Sequence, residues 1–449
     1  MKQLFLPFFL LVLLPITLWA QPPAAFNKAK LDSLLTVLES KNRVMGVVTL
    51  YQAGEPLYSR AMGYSAMQGD TKTKNTTGTK FRVGSISKTF TATLILQLIE
   101  AKKLDFSTTL ATFFPEIENA QTITIEHLLH QRSGLKSFTS EPAYATYLTQ
   151  PKTQAELVDI ITKLKPTSAP GEKFEYSNSN YVLLGYIVEK VTKKPYTEVL
   201  QKNIVDKLGL KNTFYGGTIN NTQNEASSFR FASGQWTAMP ETDMSIPHGA
   251  GAVVSTTQDL ALFIQGLFNK KLVSEAMLAR MITMKDNYGL GLVMLPMGSK
   301  RGYGHGGTID GFSSMISYFP EQKLTMATAF NGVATPINDV YLGILSIAFG
   351  LPYKVPTFEA PADLKLDLTH YEGTYSSKQF PLKITMFKQG DQLMSQATGQ
   401  GAFPLQPQSE TQFTFETAGI VIDFVKSEAG RFDQFTLRQG GGKYLFEKE

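Results

Sequence analysis

The chain has 449 residues, 43 Lys and Arg against 38 Asp and Glu, a formal charge of +5, and no cysteine. That length is roughly two to three ordinary domains, and the 43% hydrophobic and 11% aromatic content excludes a disordered or collagen-like chain. The charge is mild and has no dense Lys/Arg run, which argues against nucleic acid or an anionic membrane as partner, while the lack of cysteine excludes disulfides, thiolate-bound zinc, a thiol nucleophile and a lipid-modified N-terminal Cys.

Lys2 is followed by an apolar run from Leu4 to Leu18 and then by Trp19-Ala20-Gln21. A basic start, a short apolar stretch and a small boundary residue read as a secretory signal at 1–20, cleaved after Ala20. The run falls short of the ~20 residues that span a bilayer, which disfavours a membrane anchor. The expected mature protein is exported, periplasmic or secreted, and has no membrane span.

Ala25 to Asn42 predicts an amphipathic helix, with Leu31, Leu34, Leu35 and Leu38 at helical spacing. Two β-rich runs, Val44–Tyr51 and Pro56–Tyr64, meet through Ala53-Gly54 as a hairpin would. From Ile86 to Ile99 the chain is apolar nearly all round, which places a helix in the middle of a large core. Shorter helices are expected at Ile125–His130, Asn178–Val191, Thr197–Leu208 and Ser255–Phe268, the last opened by a Ser255/Gln258 capping box. Strand character returns at Phe312–Phe319 and Leu324–Asn331. Strands at both ends with helices between predict one sheet with helices packed on it, an α/β or α+β fold.

Leu351 to Ala362 holds Pro352, Pro356 and Pro361, and beyond it the pattern changes to short alternating strands between Gly-rich turns. The expected organisation is therefore a main domain over 21–352, a linker over 353–362 and a small all-β domain over 363–449.

The segment Phe81-Arg82-Val83-Gly84-Ser85-Ile86-Ser87-Lys88 carries the chemistry. Ser85 sits where the long apolar helix begins, and Lys88, three residues on, shares its face. A buried lysine has a depressed pKa and can serve a serine as base, and the helix N-terminus offers N–H groups to a developing oxyanion. Spacing alone leaves a bland alternative, an N-cap serine with a solvated lysine, and Ser133-Gly134-Leu135-Lys136 repeats the spacing. Two further elements add to the signal. Tyr176-Ser177-Asn178 is the only Y-x-N, and His305-Gly306-Gly307 the only H-x-G, placed just before a strand. A phenol near a lysine can lose its proton more readily and act as acid or base, and Asn178 offers an amide to a substrate carbonyl. Gly307 lets a substrate backbone approach, and the Thr308 N–H can complete an oxyanion hole.

In this order the three elements resemble those of the penicillin-recognising serine hydrolases, and most closely the class C β-lactamase / D-alanyl-D-alanine carboxypeptidase family. Ile125-Glu126-His127-Leu128-Leu129, Ser133-Gly134-Leu135, Asp206 to Leu210 and Gly251 to Asp259 fit the same family, so the likeness runs over about residues 27–350. It implies that Ser85 is the acylated nucleophile, that Lys88 and Tyr176 move its protons, and that Asn178 and His305 line the substrate cleft. No cofactor is implied. The implied partner is a small-molecule or peptide substrate, cell-wall peptide included. His305 stands where class C β-lactamases usually have lysine, and Gly306 where a hydroxyl residue is frequent; peptidase, amidase and esterase chemistry stay open, with a binder that acylates without turnover as the rival. The tail around Leu368 to Tyr375 looks like the lipocalin-like β domain often appended to this family.

Other motifs weigh less. Gly302 to Gly307 matches G-x-G-x-x-G but precedes strand-like sequence rather than a helix. His127 and His130 beside Glu126 lack a third ligand and H-E-x-x-H, which favours a structural pair. The chain has no G-x-S-x-G, and His248 and His370 have no nameable partner. Asp310 reads as a turn residue.

Overall fold

Leu31, Leu34, Leu35 and Leu38 form one buried stripe, and Lys28–Ser40 is helix α1 in the computed structural model. Asn27 caps it by accepting from the Lys30 N–H at 2.9 Å. The structure describes residues 26–449 except 233, 358–363, 365, 381, 416–419, 429, 440 and 441. The expected export segment at 1–20 and residues 358–362 of the expected linker lie outside the described residues.

Strands β1 (Val44–Gln52) and β2 (Glu55–Met62) pair as a hairpin. Ala53 and Gly54 turn it at φ 54° and 91°, the positive values that a two-residue hairpin loop requires. β1 is buried from Val44 to Tyr51 because helices cover both faces of its sheet. The other main elements are α2 (Ser87–Glu100), α3 (Asn178–Thr192), α4 (Thr257–Phe268), β3 (Val293–Met297), β4 (Lys300–Ile309), β5 (Phe312–Phe319), β6 (Leu324–Val333) and α5 (Ile337–Ala348). The strands run β3-β4-β5-β6-β1-β2, and every neighbouring pair is antiparallel. The N-terminal hairpin thus closes onto a C-terminal strand, which fixes both ends of this unit in one sheet.

Side chains alternate between two cores. Phe319, Leu324, Met326 and Phe330 join α1 and α5 on one face, while Ile316 and Ala327 join α2, α3 and α4 on the other. Leu351, Tyr353 and Val355 run on against the first core, with the Tyr353 ring seated over Gly343.

Two local expectations shift. Helix α4 begins two residues late: Ser255 ends a strand with Val253 and pairs with the Thr213 hydroxyl at 2.8 Å, so Thr256 caps the helix on the Asp259 N–H and no Ser255/Gln258 box forms. His305 lies within β4, not ahead of a strand. The glycine-rich run hides β4 in the sequence because it gives no apolar alternation.

Eight strands, from Gly373–Ser376 to Gly442–Lys448, form a separate closed antiparallel barrel, each bonded to the next and the last to the first. Phe413, Phe424, Phe435, Phe446 and Tyr375 are buried in its core, Phe435 stacking on Phe446 at 4.9 Å. The whole is an α+β sheet domain with a small all-β domain, as the sequence predicts. Among the described residues no helix is long and apolar enough to cross a membrane.

Candidate active site

Close backbone approach builds the nucleophile turn. Phe81-Arg82 pairs with Val254 and Ser255, Gly84 turns the chain at φ 51°, and one 3-10 turn, Gly84–Ile86, leads into α2. A β-carbon on Gly84 would lie 2.9 Å from the Thr308 nitrogen, and one on Gly307 would lie 2.0 Å from the Val83 carbonyl oxygen. Only glycine fits at either position, so β4 lies directly against the turn and sets the Thr308 N–H beside that of Ser85. Ser314 on β5 locks the contact by donating to the Val83 carbonyl at 2.8 Å.

Arg82 anchors the other side. Its buried guanidinium donates to Asp310 Oδ2 and Glu241 Oε2, both at 3.0 Å, and to the Thr242 and Gly217 carbonyls. Asp310 Oδ1 accepts from both the N–H and the hydroxyl of Thr242. Asp310 therefore has its carboxylate fully committed and clamps the loop that walls the site.

Lys88 Nζ has three partners: Ser85 Oγ at 2.9 Å, Asn178 Oδ1 at 2.7 Å and the Ala250 carbonyl at 2.9 Å. Lys88 is fully buried, and desolvation holds its pKa well below the usual lysine value. A neutral amine has two hydrogens and one lone pair. Asn178 Oδ1 and the Ala250 oxygen can only accept, so the ammonium donates to all three partners, while in the free amine those two take the hydrogens and the lone pair is left to the Ser85 hydroxyl. That is the arrangement of a base.

Tyr176 sits at the mouth, its residue 39% exposed while its hydroxyl hydrogen-bonds to the Ser85 side chain. Its ring centroid lies 4.9 Å from Lys88 Nζ. Burial of the hydroxyl raises the phenol pKa, and the bond to Ser85 opposes this only in part. The sequence reading expected lysine to ease this proton off. Burial outweighs any such help, and Tyr176 keeps its proton as a donor.

Asn178 begins α3, but its amide is engaged at both ends: Oδ1 accepts from Lys88, and Nδ2 donates to Thr139 Oγ1 at 2.8 Å. His305 is buried, its ring bonded to the Gly306 carbonyl through Nδ1 and to the Tyr288 hydroxyl through Nε2. A carbonyl can only accept, so Nδ1 carries the proton. Desolvation and then the Lys88 charge bring its pKa down to about 4, so the ring is neutral at neutral pH.

A cavity of about 460 Å³ opens onto Ser85, Asn178 and Thr308. Phe138, Tyr144, Leu148, Met239, Pro240 and Pro247 line much of it. Sequence reasoning missed the Ala250 carbonyl, Thr139 and Tyr288. A backbone acceptor leaves no side-chain signal, and isolated Thr or Tyr residues carry no motif.

The remaining candidates have structural places. Ser133 Oγ lies 2.6 Å from Asn180 Oδ1 in the core, and Lys136 pairs with Glu141 instead. His127 caps its own helix through Thr124, and His130 is buried with its pKa down at about 4. His248 stacks on Tyr186 at 4.4 Å. The G-x-G-x-x-G run lies along β4 and opens no helix. Among the described residues no group of three or more His, Asp or Glu is set to hold a metal.

The region bearing this site, residues 31–343, matches the Beta-lactamase family model. The chain belongs to the beta-lactamase family. It is 27% identical over 438 residues to a penicillin-binding protein of Bacillus subtilis, a match covering 90% of this chain and 95% of that relative. Among solved structures it is similar to the D-amino acid amidase of Ochrobactrum anthropi SV3, at 26% identity and a TM-score of 0.61 over 72% of this chain and 97% of the amidase. The octameric penicillin-binding protein homologue from Pyrococcus abyssi shares the fold at 23% identity and a TM-score of 0.66, over 93% of this chain and 99% of that one. Membership in this family and the buried Ser85–Lys88 pair together support a serine hydrolase-type function.

Proposed function

We propose that the protein is an exported serine hydrolase that cleaves neutral amides or esters, D-amino-acid derivatives among them, through an acyl-enzyme at Ser85. One observation carries the proposal: the desolvated Lys88 amine lies 2.9 Å from Ser85 Oγ with its other two hydrogen-bonding directions already filled.

Ser85 Oγ attacks the carbonyl carbon as its proton passes to the Lys88 lone pair. The oxygen, now negative, is received by the Ser85 and Thr308 N–H groups. The C–N or C–O bond breaks as the leaving group takes a proton from the Tyr176 hydroxyl, and the Lys88 ammonium returns one to Tyr176. Water then attacks the Ser85 ester by the reverse relay, releasing the acid and restoring the serine hydroxyl.

Two features support neutral substrates. His305 is uncharged with both nitrogens engaged, and Gly306 brings no hydroxyl, so the strand offers a substrate carboxylate little. The aromatic and aliphatic cavity wall suits an aromatic or branched apolar group on the acyl side. Export rests on the basic and apolar start of the sequence, with periplasm or medium as destination.

Steady-state assays with p-nitrophenyl esters and D-phenylalanine amide test the reading. Many product molecules per Ser85 are expected. A single stoichiometric acylation with no further product would instead make the protein an acylating binder.

A further inference from the structure

The short helix Ile125–Leu129 ends in a Schellman turn: the Arg132 N–H donates to the His127 carbonyl at 2.8 Å, and the Gln131 N–H to the Leu128 carbonyl at 3.2 Å. Such a turn puts the residue after the cap in the left-handed region, where a β-carbon is strained and glycine or asparagine is usual. Here that residue is Gln131, at φ 60° and fully buried. Glycine would fit this backbone with less strain, so contacts of the glutamine side chain must offset the difference.

Those contacts go to the segment that carries Tyr176. The Gln131 carbonyl accepts from the Glu175 N–H at 2.9 Å, and Gln131 Oε1 accepts from the Ser177 N–H at 3.0 Å. These two N–H groups flank Tyr176 on either side. A backbone N–H can only donate, so the Gln131 amide has a single orientation, with its oxygen on Ser177. The same oxygen accepts from Asn180 Nδ2 at 2.6 Å, and Asn180 Oδ1 in turn accepts from Ser133 Oγ at 2.6 Å, which ties the amide to α3 and back to its own turn. Residues 174–177 belong to neither helix nor strand, so the two bonds to Gln131 stand where a sheet partner would.

We propose that Gln131 is a positioning residue for the reaction: by clasping the backbone on both sides of Tyr176, it fixes the place of that hydroxyl between Ser85 and the leaving group. Gln131 acts through Tyr176 rather than on the substrate. The inference rests on the reading of Tyr176 as the acid that protonates the leaving group.

The test compares two substrates that share an acyl group, the p-nitrophenyl ester and the amide of N-acetyl-D-phenylalanine. p-Nitrophenolate departs as a stable anion, whereas an amide nitrogen must be protonated to leave, so only the amide depends on a well-placed acid. kcat/KM is measured for both and normalised to active sites by fluorophosphonate labelling. Gln131→Met keeps the side-chain length and removes the acceptor. Gln131→Gly removes it too but suits the left-handed turn, so it separates loss of the contact from loss of the fold. Each should lower kcat/KM for the amide by roughly tenfold to 10²-fold, the scale of a displaced catalytic group, and for the ester by no more than about threefold. In a Tyr176→Phe background neither change should slow the amide further. An equal loss on both substrates, no loss on either, or a further loss in Tyr176→Phe overturns the proposal. If Tyr176→Phe alone slows ester and amide alike, the acid role of Tyr176 falls, and the proposal falls with it.

Discussion

A β-carbon placed on Gly307 would stand 2.9 Å from the backbone nitrogen of Ser85. The strand and the nucleophile turn are therefore in backbone contact at the point where an oxyanion must be held. Gly307→Ala pushes the two apart and misaligns the Thr308 N–H. Turnover should fall by about 10²- to 10³-fold, the usual effect of one lost oxyanion donor. Kinetics on a small ester check this, and a variant within a few-fold of wild type would place the oxyanion elsewhere.

Lys88 has a folded-state pKa well below its ordinary 10.5, owing to burial. Between those two values the unfolded chain binds the extra proton, so this residue's contribution to stability rises with pH. Lys88→Met removes that slope. The Tm of the variant minus that of wild type should become less positive from about pH 6 to about pH 9, while turnover drops by roughly 10²-fold or more. Thermal melts across pH check the sign, and a constant gap would mean that Lys88 is charged when folded.

The chemistry of the site was more legible in the sequence than its scaffold. The three-residue spacing from Ser85 to Lys88 survives because one 3-10 turn and the first turn of α2 keep i and i+3 on one face. The leucine stripe of α1 and the alternating barrel strands were readable for the same reason, a periodicity imposed by burial. Strand β4 was not, because its glycines answer to tertiary contacts at Val83, Ile316 and Phe319 rather than to a local pattern. The burial that keeps the Tyr176 proton in place is likewise a property of the folded cleft alone.

Substrate preference follows from His305 and Gly306. Short apolar esters and D-amino-acid amides should turn over, with nitrocefin kcat/KM far below the diffusional range of ~10⁸ M⁻¹s⁻¹. A β-carbon on Gly306 meets nothing closer than Met315 Cε at 3.4 Å, so Gly306→Thr should be accommodated. It should shift preference toward carboxylate-bearing substrates by adding a hydroxyl donor. Competition between a neutral and a carboxylate ester measures the shift, and an unchanged ratio would remove Gly306 from specificity.

The sheet domain should stand without the barrel. Tyr353 and Val355 pack against its α1/α5 core, so a chain ending at Thr357 should stay soluble and label at Ser85. A chain ending at Pro352 lacks the ring over Gly343 and should melt lower. Differential scanning fluorimetry ranks the two, and equal melting temperatures would show that these contacts add nothing.

The central claim is the covalent bond at Ser85, and intact-mass spectrometry after incubation with a fluorophosphonate and with penicillin G tests it most directly. The account predicts a single adduct, mapped to Ser85 by peptide digestion, present in Ser133→Ala and absent in Ser85→Ala. An adduct that persists in Ser85→Ala would contradict it.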